Sequence, residues 1–167
     1  GQAVLENMDK NTRGADKVVC YHNLVNPGPT LVIVKNGCYT RYRFIAPAPS
    51  LNPTENGQIQ QDNPQPDPST STSCAQNSPA PTPKGIKLFT DNVCIDPLDP
   101  MVGRNILTDT NPQSGVSVVN GSFTLKPQSG FKNSVTVSFT LDHGVEAPAA
   151  VASQIDPVEF TTTIGLR

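Results

Sequence analysis

"TLVIVKNGCYTRYRFI", residues 30–45, sets two β-rich runs on either side of Asn36-Gly37. A two-residue Asn-Gly turn requires positive φ at both positions, so this stretch predicts a tight antiparallel hairpin. On its second arm Cys38, Thr40, Tyr42 and Phe44 point one way, and Tyr39, Arg41, Arg43 and Ile45 the other. That alternation predicts one buried and one solvated face, the long stems of Arg41 and Arg43 covering the solvated one.

Toward the N-terminus, "KVVCYH" at 17–22 reads as another strand. Before it the apolar period changes from two to near 3.6. Val4, Leu5, Met8, Ala15 and Val18, with Thr12 between, recur as on one face of a helix over residues 1–18. Such a stripe must bury itself against the sheet. The pattern is already running at residue 3, with no Ser, Thr, Asp or Asn ahead of it as an N-cap.

Toward the C-terminus the composition changes abruptly. Residues 47–83 hold nine of the seventeen prolines and almost no apolar side chains. Such a segment has no core of its own, but it contains Cys74, and "GIKLFTDNVCI" at 85–95 again reads as a strand. The expectation is a long Pro/Ser/Thr-rich surface loop inserted between two strands of one sheet and pinned by a disulfide. Its plain reading is a solvated excursion; docking into a partner groove or glycosylation are the functional alternatives.

The remainder, 84–167, is antiparallel in style. In "NSVTVSFTLDHG", Val135, Val137, Phe139 and Leu141 alternate with Ser134, Thr136, Ser138 and Thr140, as in a half-buried strand. Asn120-Gly121 inside "SGVSVVNGSFTLKP" fits a turn or a bulge, and with Ser122 it also matches a glycosylation sequon. The closing "VEFTTTIGLR" places Phe160, Thr162, Ile164 and Leu166 on one face of a last strand or an extended tail.

Composition bounds the chemistry. The 167 residues fit a single domain, and 35 % apolar content with twelve glycines and no tryptophan argues for a loop-rich, strand-rich chain. A net charge of −2 gives no electrostatic basis for binding a nucleic-acid duplex or an anionic membrane surface. Cys20, Cys38, Cys74 and Cys94 are too widely spaced for a zinc knuckle. An even number of cysteines in a weakly charged, Ser/Thr/Pro-rich chain suits two disulfides and an oxidising compartment. Three connectivities are open. The sequential one, Cys20 to Cys38 and Cys74 to Cys94, closes the shorter loops; a strand lying between Cys20 and Cys38 would forbid it and make Cys38 to Cys94 competitive.

Neither His22 nor His143 belongs to a nucleophile motif, and no GxSxG, P-loop or HExxH occurs, so no catalytic residues are assigned and the chain is not read as an enzyme. No cofactor is implied. Asp91, Asp96 and Asp99 are the only calcium candidates, off the EF-hand spacing and in a stretch where Asp-Pro favours turns.

The order of these parts resembles the soluble domain of type IV pilin-like proteins, above all minor pilins and minor pseudopilins of the J and W kind. The residues carrying the resemblance are a helix ending with Arg13 and Ala15, the Tyr42-Arg43 strand, Leu107-Thr108, the rhythm of Val116 to Phe123 and Val135 to Leu141, and Thr162, Thr163, Leu166 and Arg167 at the end. The resemblance implies an α+β fold in which an amphipathic N-terminal helix, here the C-terminal half of an anchor helix, packs on an antiparallel sheet. It implies a leader and a membrane-spanning segment upstream of Gly1, a membrane-held and then cell-surface location, and a structural role in a pilus, secretion or DNA-uptake filament. Neighbouring pilin or pseudopilin subunits would meet through the helix. A surface ligand or DNA would be contacted at the tip, with the Pro-rich loop as the place for individual recognition. The rival is a stand-alone secreted β-rich module that binds a carbohydrate or a protein.

Overall fold

A computed structural model describes residues 1–26, 28–47, 54–64, 94, 105–127, 129–130 and 132–166. Helix α1 (Gln2–Thr12) leads into strands β1 (Lys17–His22), β2 (Thr30–Lys35), β3 (Cys38–Ile45), β4 (Gln58–Asp62) and β5 (Asn105–Ile106). Strands β6 (Val116–Lys126) and β7 (Ser134–His143), the four-residue helix α2 (Ala149–Ala152) and strand β8 (Val158–Gly165) follow. The strands form two antiparallel sheets in simple sequence order, β1-β2-β3-β4-β5 and β6-β7-β8.

The 30–45 hairpin forms as its sequence requires. Asn36 and Gly37 take φ of 52° and 78°, and Thr30 to Lys35 pair with Arg43 to Cys38. Val135, Val137, Phe139 and Leu141 are buried along β7, and the closing segment is a full strand rather than a tail. Asn120-Gly121 is no turn. It follows a bulge in the β6–β7 ladder, where the register shifts between Val118 and Asn120. Gly121 is required there because a Cβ would run into the Phe44 ring.

The expected α+β arrangement, one long N-terminal helix on one sheet, is not what forms. Of the described residues 47 % are strand and 13 % helix, and the architecture is two facing sheets with one short helix. The helix stops at Thr12 because Gly14 and then the β-branched pair Val18-Val19 favour leaving it; Ala15 sits in the turn and Val18 on β1. Part of the segment read as loop is strand β4, whose Ile59 is buried opposite Phe44. Its alternation is hidden by glutamines, because Gln60 and Asp62 are buried too.

Aromatic stacking ties the sheets together. Phe44 of β3 stacks on Phe123 of β6 at 4.7 Å between ring centres and meets Phe139 of β7 at 5.8 Å. Phe139 stacks on Phe160 of β8 at 5.4 Å, and Phe160 touches Gly1 at the start of α1. Such pairs contribute about 1 kcal/mol each beyond their buried area.

The outer face of the larger sheet is also buried, which corrects the solvated face expected for β3. Arg41 and Arg43 are 1 % and 6 % exposed. Cys20, Val32, Arg41 and Asp62 lie side by side across β1 to β4, and Cys94 covers the row through its disulfide to Cys20. That pairing replaces both the sequential one and the alternative of Cys38 with Cys94. β2 lies between β1 and β3 and holds Cys20 away from Cys38, whereas the Cα atoms of Cys20 and Cys94 are 5.5 Å apart. The bond spans 74 residues, and closing so long a loop stabilises the fold by about 4 kcal/mol in the chain-entropy account. Cys38 is disulfide-bonded as well; Cys74 lies outside the described residues.

Candidate functional site

Helix α1 fills the wedge between the two sheets, and its two faces have opposite characters. Val4, Met8 and Thr12 are buried one turn apart, Ala15 continues the line beyond the helix end, and Leu5 and Val18 pack at its margin. At 3.6 residues per turn these positions form one stripe. Burying the Met8 side chain stabilises by about 2–3 kcal/mol.

The stripe meets both sheets. Toward the smaller sheet α1 packs along β8, and a Cβ on Gly1 would overlap the Phe160 ring. Toward the larger sheet Asn11 Nδ2 donates to the Tyr42 hydroxyl at 2.8 Å. Burial pushes the Tyr42 hydroxyl far above its ordinary pKa, the Asn11 bond opposing the shift. Asn36 N–H donates to Asp16 Oδ2 at 2.7 Å, fixing the chain after the helix to the hairpin turn. The helix is thereby keyed to the body at both sheets.

The opposite face carries Gln2, Ala3, Glu6, Asn7, Lys10 and Arg13, all exposed. Gln2 Nε2 donates to Glu6 Oε1 and Asn11 Nδ2 to Asn7 Oδ1, each at 3.2 Å. Arg13 donates to both Asp9 oxygens, at 3.0 and 2.8 Å. Exposed pairs of this kind stabilise little. The sequence period located this face. The bond from Asn11 to Tyr42, which sets the helix against the larger sheet, has no sequence signal.

The two histidines are not brought together. His22 ends β1, where its Nδ1 accepts from Leu24 N–H at 3.3 Å and its Nε2 is buried without a partner. Burial and then the charge of Arg43 lower its pKa. His143 ends β7, its Nδ1 2.9 Å from the Gly144 carbonyl oxygen and its Nε2 3.7 Å from Asp142. Asp91, Asp96 and Asp99 lie outside the described residues. Among the described residues no group of three or more His, Cys, Asp or Glu side chains is placed to hold a metal ion, and no helix is long and apolar enough to cross a membrane.

The Cys20–Cys94 disulfide marks an extracytoplasmic domain. No family model, no curated protein and no solved structure matches the chain.

Proposed function

We propose that this chain is an extracytoplasmic structural subunit of a type IV pilin-like filament, of the minor kind, joined to neighbouring subunits through α1. The observation that carries the reading is the helix with one face keyed to both sheets and a continuous polar face outside. The order of helix, meander and closing Thr-Thr strand in the sequence supports the same reading. The disulfides suit a domain that works outside the cytoplasm.

Deletion of the gene in its native host, with surface filaments counted by electron microscopy, tests this reading. Filament number should fall and return with the wild-type gene. It should not return with an Ala3→Arg, Asn7→Arg double variant, whose substitutions lie on the exposed face and leave the melting temperature unchanged. Normal filament number in the deletion strain overturns the reading and favours a stand-alone secreted binding module.

A further inference from the structure

The two edges of the β6-β7-β8 sheet are treated differently. Leu166 N–H donates to the Asn133 carbonyl oxygen at 3.0 Å, in register with the β7–β8 ladder. Peptide groups alternate along an antiparallel strand, so Val158, Phe160, Thr162 and Ile164 bond to β7. Glu159, Thr161, Thr163 and Gly165 then direct their N–H and C=O groups to the outside.

On the far edge, along β6, three of the outward-facing residues have partners. Val116 N–H donates to the Asp109 oxygen at 3.2 Å and Val118 N–H to the Gly57 oxygen at 3.1 Å. The Asn23 side-chain amide donates to the Phe123 carbonyl and accepts its N–H, both at 2.9 Å, standing in for a strand. Along β8 no such cap exists among the described residues. Nor does the strand carry a Lys, a Pro or a bulge, the usual means by which an edge repels other chains.

We propose that the β8 edge pairs antiparallel with the same edge of a second copy of this chain, about a two-fold axis at Thr162. In that register Glu159 faces Gly165 and Thr161 faces Thr163, so every outward residue finds an outward partner. Glu159 meets a residue without a side chain and keeps its carboxylate in water; the register that pairs Glu159 with itself sets two like charges opposite each other. Threonines facing across the junction repeat a contact already present in the monomer, where the Thr136 and Thr163 hydroxyls are 2.9 Å apart. The result is one continuous sheet from β6 of one copy to β6 of the other. This pairing is independent of the filament reading and uses a different surface from the outer face of α1.

Sedimentation equilibrium of the full chain with its disulfides formed should give twice the monomer mass. Thr163→Pro removes an outward donor at a position where proline suits an edge strand, and it should give a monomer whose melting temperature matches that of the wild type at dilutions where the wild type is also monomeric. Thr162→Cys tests the register directly. In a non-hydrogen-bonded pair the two Cα atoms lie about 4.5 Å apart, within disulfide range, so mild oxidation should yield a covalent dimer. Thr161→Cys, displaced from its own copy by two positions, should not cross-link. A chain that stays monomeric up to about 1 mM, the weak end of specific association, overturns the proposal. So does Thr161→Cys cross-linking as readily as Thr162→Cys.

Discussion

Arg41 and Asp62 face each other across β3 and β4 and are both buried, with Arg41 Nε donating to Asp62 Oδ1 at 2.8 Å and Nη2 paired with Oδ2. Removing one member of such a pair leaves the other charge without its counter-ion in a low-dielectric site. Asp62→Ala should therefore cost roughly 3–5 kcal/mol in urea unfolding, and adding Arg41→Met should recover a large part. A single-variant cost below about 1 kcal/mol, the range of exposed pairs, would mean that water reaches the pair. His22 makes a second prediction. Its pKa is lowered in the fold, so between its folded and unfolded values the unfolded chain binds the proton more tightly. Its contribution to stability is therefore complete above the unfolded value near 6.5 and declines as pH falls toward the folded one. The melting temperature of the wild type should drop more from pH 7.5 to pH 5 than that of His22→Gln; equal drops would contradict the assignment. Neither site was legible in the sequence. Two-residue alternation placed Arg41 and Arg43 on the face away from Tyr42, which is correct, but nothing local told that Cys94 would return to cover that face.

At the scale of the element, period and turn chemistry were sufficient where a segment is buried on one side. The 30–45 hairpin and β7 follow from Asn36-Gly37 and from strict alternation, whereas the closing segment, open between strand and tail in the sequence, becomes strand β8 by pairing with β7. These signals fail where burial is polar or where the chain leaves a period early. β4 hides Ile59 among glutamines, and α1 ends at Thr12 although Ala15 and Val18 continue its apolar stripe, because a residue in a turn and one on a strand can reach the same core. The Asn23 cap on Phe123 belongs to this scale also, since it joins residues 100 positions apart. Asn23→Ala should destabilise the fold by about 1–2 kcal/mol. It should also accelerate hydrogen exchange at the Phe123 amide well beyond that at Val137 in the central strand. Unchanged protection at Phe123 would show that another group closes this edge.

At the scale of the molecule, the two sheets bury each other through Phe44, Phe123 and Phe139, and α1 closes the wedge between them. The sequence carried the order of these parts. It did not carry the division into two sheets, which depends on β6 packing across the larger sheet rather than joining its edge. A body held together in this way can present α1 as a rigid docking element, with Gln2, Glu6, Asn7 and Lys10 outside. The most direct measurement is site-specific photo-cross-linking in the native host, with the reactive group at Asn7 and a control at the exposed Thr124 of β6, on the edge of the smaller sheet away from β8. Cross-links from Asn7 to other filament subunits, recovered with sheared surface filaments and absent from the Thr124 control, are the expected result. Filaments that carry no cross-link from Asn7, or carry them equally from Thr124, would contradict a role for α1 in joining subunits.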